Sequence, residues 1–389
     1  MRIPLSSPDI TESEIQALAR VLRSPRLSLG PKLEEFEEAV AAYSGAEHAV
    51  AVNSGTSGLH LCIRALRIGP GDEVILPSFA FVAVANAVRY ERAVPVFVDV
   101  EAKTLNLDPA KIEAAITPRT RAILVVHTFG CPADLSRILG LARRHRLRVI
   151  EDACEALGAE HAGRKVGPLG DAGVFAFYPN KQITTGEGGM IVTQDAGAAT
   201  LARALRNQGR SQAGEWLEHG ELGYNYRLSE INCALGIEQM RRLESILEKR
   251  EAVARQYHRR LSANPDLILP PLEVPGGRIS WFVYVVRLGA RFTQPQRDWI
   301  WKEMTSRGIG CGRYFAPIHR QPIYRDLNGP RHELASTEWS AARSLALPLF
   351  NNLQLAEIEE VCCTLQELIQ VVPTGGVHPC DPRGRLADL

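Results

Sequence analysis

Between Ala49 and Thr193, short apolar, β-branched runs recur along the chain, separated by helical stretches. They are AVAVNS from Ala49, EVILP from Glu73, VPVFVDV from Val94, AILVVHTF from Ala122, LRVIED from Leu147, GVFAFY from Gly173 and GMIVT from Gly189. The runs are almost wholly apolar rather than alternating, which predicts strands covered on both faces, as in a mostly parallel sheet. The segments between them are amphipathic. Over Pro132 to Arg146 the sequence sets Leu135, Ile138, Leu139 and Ala142 on one face and arginines on the other, as a helix lying on that sheet requires. The fold class is therefore α/β, a mostly parallel sheet sandwiched by helices, with functional residues expected at the carboxyl ends of the strands.

The rhythm changes after this region. A charged helical run from Glu238 to Leu261 predicts a connecting helix, followed by a Pro-rich loop from Leu269 to Pro275. SWFVYVVRL then reads as a strand, QRDWIWKEMTSRG as a helix closed by Gly308, and AEIEEVCCTLQELIQVV as a final helix, together a smaller α+β domain. The expected division is a large domain over residues 1–245, whose N-terminal segment could pack on the smaller unit, and a C-terminal domain over 246–371. The stretch 372–389, rich in Pro, Gly and charge without an apolar period, is expected to be a flexible tail. A length of 389 residues, 45% of them hydrophobic, is enough for such a pair of cores.

Charge removes some functions from consideration. Forty-five basic residues against 44 acidic ones leave no surplus to drive binding to nucleic acid or an anionic membrane. The opening MRIPLSSPDITESEIQ lacks an apolar core, and no later stretch has the length of a membrane span, so a cytoplasmic protein is expected. The eight cysteines form no C-x-x-C pair, which argues for reduced thiols and no metal site.

Three segments could carry chemistry. Asn53-Ser54-Gly55-Thr56-Ser57 follows a strand and opens a helix, so it is either an anion site built from free N–H groups or an ordinary capped helix start. Asp152 ends the strand LRVIED in apolar surroundings, where it either meets a cation such as a protonated pyridine nitrogen or caps the next helix. Lys181 stands between the aromatic FAFY run and the Gly-rich ITTGEGG, as a partly desolvated Schiff-base lysine would, or as a solvated loop lysine. All three follow strands of one sheet and could converge on one cofactor.

These segments, with LSLGPKLEEFE from Leu27, PSFAFVAVANAV, EDACEALGAEHAGRKVGPLGDAG, FYPNKQITTGEGGMIVT, GYNYRLSEINCALG and PIHRQPIY, resemble the DegT/DnrJ/EryC1/StrS family over nearly the whole chain. The resemblance implies fold type I, with pyridoxal 5′-phosphate (PLP) held as a Schiff base on Lys181. It implies Asp152 against the pyridinium nitrogen, Gly55, Thr56 and Ser57 at the phosphate, Phe81 stacked on the ring, and Glu155 beside the phenolic oxygen. Asn225 would reach the cofactor phosphate of a neighbouring subunit in a homodimer with shared active sites. Arg227, Tyr314 and His319 would face the substrate. The sequence departs from the family in one place: Ala176 stands where many members carry a serine whose hydroxyl meets the phosphate, one donor fewer, worth about 1–2 kcal/mol if unreplaced.

The implied reaction moves an amino group from L-glutamate to a nucleotide-linked keto-sugar. The residues around Lys181 and Glu155 are most similar to relatives that aminate C4 of a 4-keto-6-deoxyhexose, as in perosamine synthesis. A C3-aminating or keto-cyclitol aminotransferase is the alternative within the family. Two further alternatives are a PLP- or pyridoxamine-dependent sugar dehydratase, whose lysine is typically replaced by histidine, and a non-catalytic regulator of the same fold. The intact Lys181 speaks against both.

Overall fold

The computed structural model describes residues 1–210, 218–325 and 332–373. The apolar runs form a seven-stranded sheet: β1 His48–Val52, β2 Glu73–Pro77, β3 Val94–Val98, β4 Thr120–Val126, β5 Arg148–Asp152, β6 Ala172–Ala176 and β7 Gly189–Thr193. Their order across the sheet is β1-β7-β6-β5-β4-β2-β3. Strand β7 is antiparallel to both of its neighbours, while the other pairings are parallel. Six carboxyl ends thus share one edge of the sheet. Because β7 returns beside β6 without a crossover helix, the chain between them stays at that edge as a tight turn, closed by Phe177 N–H to Gly188 O (3.0 Å) and Thr185 N–H to Phe177 O (2.9 Å). Lys181 lies within this turn.

Period-two alternation sends neighbouring residues of one strand to opposite cores. Ile123, Val125 and Val149 join Phe36, Leu135, Ile138 and Phe175 on one face. Leu124 and Ile150 join Leu59, Ile63, Val84 and Val174 on the other. The helix read near Pro132–Arg146 spans Leu135–His145; the Asp134 side chain caps it, and Arg146 ends it at φ 54°.

A second core gathers Tyr257, Tyr284, Val286, Ile300, Met304, Leu345 and Leu365 around a small antiparallel sheet of β8 Leu267–Ile268, β9 Tyr284–Leu288 and β10 Ser344–Leu347. Ile3 belongs to this core, and its carbonyl accepts from Gly310 N–H at 2.7 Å. The single connecting helix expected over Glu238–Leu261 is two helices, Glu230–Arg241 and Leu243–Leu261. The break falls at Arg242 (φ −103°, ψ 1°), whose guanidinium donates to Asp9 (2.9 Å) and Glu14 (2.6 Å) near the N-terminus.

The strand expected over SWFVYVVRL begins only at Tyr284. Ser280 is taken instead by a backbone contact beside the large sheet's edge segment, its N–H donating to Gly130 O at 3.0 Å. Gly130 adopts φ +85°, and a Cβ there would lie 1.6 Å from Ser280 O, so only glycine permits this approach. Among the described residues no helix is long and apolar enough to cross a membrane. Of the tail expected over 372–389, residues 374–389 lie outside the described ones.

Candidate active site

The carboxyl edge of the sheet opens into a cavity of about 660 Å³, lined by Gly55, Thr56, Phe81, Asp152, Glu155, Lys181 and Tyr314 among the residues singled out in the sequence. All of these but Tyr314 arrive by a short route from a strand end. Gly55 and Thr56 follow β1, Phe81 follows β2, Asp152 is the last residue of β5, and Tyr178, Asn180 and Lys181 follow β6.

Beyond β1, the helix Gly55–Ala65 starts with Ser54 as its cap, the Ser54 hydroxyl accepting from Ser57 N–H at 3.1 Å. The first N–H groups of an α-helix have no partner within the helix, and Gly55 and Thr56, at such a start, line the cavity. Gly55 is needed sterically: a Cβ there would meet the Ala176 Cβ at 2.8 Å and the Cys154 Sγ at 2.9 Å. Ser57 does not line the cavity. Its hydroxyl is turned back to Asn53 Oδ1 (2.6 Å) and Ser54 Oγ (2.9 Å).

The charged floor consists of Asp152, Glu155 and Lys181. Asp152 is 8% exposed and accepts Cys154 N–H at 3.0 Å. The Lys181 Nζ lies 3.6 Å from Glu155 Oε1 and 4.1 Å from the centroid of the Phe282 ring, so a carboxylate and a π-face both attend the amine. Glu155 accepts Phe129 N–H at 3.0 Å. Burial pushes its carboxyl above the usual range; Lys181 opposes this and Asp152 adds to it. Burial likewise raises the Cys154 thiol well above its ordinary value, which keeps this cavity-lining sulfur protonated and unreactive.

The opposite wall is aromatic and comes from the part of the chain after Ser280. Phe282, Tyr314 and Phe315 line the cavity, and behind them Phe129 stacks on Phe315 at 5.2 Å and on Tyr314 at 6.4 Å. Two polar anchors hold Phe282. Gln182 Nε2 donates to Glu155 O (2.6 Å) and to Ser280 Oγ (3.0 Å), while the buried Arg250 donates to Trp281 O (2.6 Å) and Phe282 O (2.7 Å). Burial brings the Arg250 guanidinium down to about 10.

Besides Ser57, three residues singled out in the sequence lie away from this cavity. Asn225 is exposed and flanked by Tyr224 and Tyr226, which pack inward; Arg227 donates to Asn207 Oδ1 at 3.0 Å. His319 is tied to Ser78 Oγ at 2.7 Å and Glu338 Oε1 at 3.2 Å. Conversely, sequence reasoning missed Asn180, Gln182, Arg250 and Phe282. Asn180 and Gln182 flank Lys181 and could have been included by adjacency, whereas Arg250 and Phe282 carry no local signal because tertiary packing alone brings them here.

The donor set suits PLP. An amine can take a carbonyl carbon, a carboxylate can hold a protonated ring nitrogen, and a glycine-opened helix start can bind a phosphate. Comparison with known proteins agrees. Residues 8–366 match the model of the DegT/DnrJ/EryC1/StrS aminotransferase family. The chain is 40% identical over 370 residues to GDP-perosamine synthase of Caulobacter vibrioides, covering 95% of this chain and 98% of that one. Among solved structures, S. venezuelae DesV in complex with a ketimine intermediate is 37% identical, with a TM-score of 0.88, covering 96% of this chain and all of that one. A Streptococcus pneumoniae protein in its PLP form is 26% identical, with a TM-score of 0.91, covering 96% and 98%. The chain thus belongs to the DegT/DnrJ/EryC1/StrS aminotransferase family and is a PLP-dependent transaminase.

Proposed function

We propose that this protein transfers the amino group of L-glutamate to C4 of a nucleotide-linked 4-keto-6-deoxyhexose, with Lys181 as the residue that carries PLP. The observation that carries the reading is the meeting of Lys181, Asp152 and the Gly55–Thr56 helix start in one cavity. Identity of 40% to a GDP-perosamine synthase supports the sugar class and favours a GDP-linked substrate. Residues 1–245 would form the cofactor unit and 246–371 the unit that completes its aromatic wall. Two copies would associate so that the outward-facing Asn225 and Arg227 serve the neighbour's site.

PLP, when bound, supplies an electron sink and a carrier for the amino group. The protein's own part follows from its geometry. Asp152 holds a proton on the ring nitrogen, and the Gly55 and Thr56 N–H groups bind the phosphate, with no hydroxyl contributed from Ala176. Lys181 Nζ must be neutral to attack a carbonyl carbon, and as a free amine it moves the proton at the substrate carbon. Glu155 Oε1, 3.6 Å from that nitrogen and raised by burial, is placed to hold the proton the amine gives up. Phe282, Tyr314 and Phe315 exclude water from this exchange. His319, outside the cavity, fixes the Ile318–Arg320 turn through Ser78 and would support the Tyr314 wall rather than touch the sugar.

The test is Lys181→Ala. We expect loss of lysine-linked visible absorbance and of 2-oxoglutarate release from glutamate, with folding intact. Undiminished turnover would overturn the assignment. A panel of GDP-, UDP- and dTDP-linked 3- and 4-keto-sugars tests the substrate, with GDP-linked 4-keto-6-deoxyhexoses expected to turn over fastest. Activity confined to 3-keto-sugars or keto-cyclitols would replace the C4 reading.

A further inference from the structure

His60 lies on the buried side of the Gly55–Ala65 helix, 4% exposed, at the centre of a polar cluster that the chemistry above does not use. Its Nε2 is 2.7 Å from Glu91 Oε1 and its Nδ1 3.2 Å from the Tyr226 hydroxyl. A carboxylate only accepts, so Nε2 carries the hydrogen and Nδ1 accepts from Tyr226, the neutral tautomer. Burial favours that neutral form by lowering the imidazole below its usual value, against the opposing pull of Glu91. Tyr224 donates to the same Glu91 oxygen at 3.3 Å, Arg64 pairs with Glu91 at 3.5 Å, and the Tyr224 and Tyr226 rings stack at 4.9 Å.

The backbone over Tyr224–Tyr226 is extended, with Tyr224 N–H donating to Leu205 O, Tyr226 N–H to Arg206 O, and Asn53 N–H to Tyr226 O. Side chains alternate along such a segment. With Tyr224 and Tyr226 drawn inward to His60, Asn225 must project outward, and it is exposed. His60 therefore bears on a face that its own cavity does not use.

We infer that the His60–Glu91–Tyr226 cluster is a positioning site that acts in trans, fixing Asn225 for the phosphate of a second copy's cofactor rather than shaping the phosphate turn of its own chain. This rests on the reading that two copies share their PLP sites. Substituting a cluster residue frees the Asn225 segment to move while leaving Lys181, Asp152 and Gly55 of the same chain in place.

Mixed dimers of the holoenzyme separate trans from cis. His60→Leu alone should weaken cofactor retention about tenfold, and Tyr226→Phe, which keeps both rings and loses one hydrogen bond, about threefold. Retention is read by loss of visible absorbance on dilution. In a dimer of one His60→Leu chain and one Lys181→Ala chain, only the first chain can form the lysine-linked chromophore, and the Asn225 facing that site comes from the second chain, whose His60 is intact. Retention there should return to the wild-type value, and the Tyr226→Phe mixture should behave alike. A site that stays weak in both mixtures would overturn the inference in favour of an effect on the chain's own Gly55 turn. A wild-type protein that is monomeric, or that lacks the chromophore, would overturn the shared-site reading and this inference with it.

Discussion

One wall of the cavity is built from Asp152 at a strand's last position and from Gly55, Thr56, Phe81, Glu155 and Lys181 within five positions of a strand end; the other comes from Phe282, Tyr314 and Phe315, in segments that belong to no helix or strand. The first wall inherits its precision from the sheet. Asp152 is in register with Val126 of β4 and Val174 of β6, so the backbone that carries its carboxylate is held by two ladders. The second wall has no ladder and depends on a few long-range polar contacts from Arg250 and Gln182. Chemistry and stability are therefore distributed unequally between the walls. Residues of the sheet wall can be changed with loss of reaction and little loss of folding, whereas the supports of the aromatic wall should show the reverse.

The largest expected effect is on the sheet wall. Asp152→Asn keeps the shape and the contact with Cys154 N–H but cannot hold a cationic ring nitrogen, and turnover should fall roughly 10²–10³-fold with the melting temperature nearly unchanged. Steady-state kinetics beside a thermal melt checks this. A variant that melts much earlier would show that the wall is structural after all.

Arg250→Leu should behave in the opposite sense. It leaves Trp281 O and Phe282 O buried without donors, and should cost about 2–4 kcal/mol of stability in chemical unfolding. At low temperature, where the variant stays folded, its amino-donor half-reaction should lose far less than that of Asp152→Asn. Equal losses of reaction in the two variants would erase the distinction between the walls.

The smallest effect lies where the N-terminal segment is tied to the helix break at Arg242. Burial would raise the Glu14 carboxyl, but hydrogen bonds from Thr11, Gln239 and Arg242 outweigh it and hold Glu14 at about 2, against an ordinary 4.5. A depressed carboxyl stabilises the fold fully above its unfolded value, and that stabilisation is lost as pH falls through the folded one. Glu14→Gln should thus melt earlier than wild type at neutral pH, and the gap should close between about pH 4.5 and pH 2. A gap independent of pH would assign the effect to packing.

The same inequality decides what could be read from the sequence. The seven apolar runs announce the sheet, and residues just beyond them, Gly55, Asp152 and Lys181, announce the polar wall, because a strand and its next turn are local facts. The antiparallel return of β7 is not announced, since an apolar run looks the same in either direction. The break at Arg242 is hidden for another reason: the charged periodicity runs straight through it, and only Asp9 and Glu14, more than 200 residues earlier, draw the side chain out of line. Phe282 was read inside a strand it precedes, because nothing nearby records that Gly130 claims the backbone of Ser280. Asn225 and Arg227 stand apart from the cavity of their own chain, on a face that no local pattern marks.

The contact of Gly130 with Ser280 also bears on how such a protein can change over generations. Two distant stretches of the chain meet there main chain against main chain. Such a joint is indifferent to the identity of the residues that follow it. The aromatic lining can be exchanged to suit a differently shaped sugar while the joint stays as it is, so long as position 130 remains glycine.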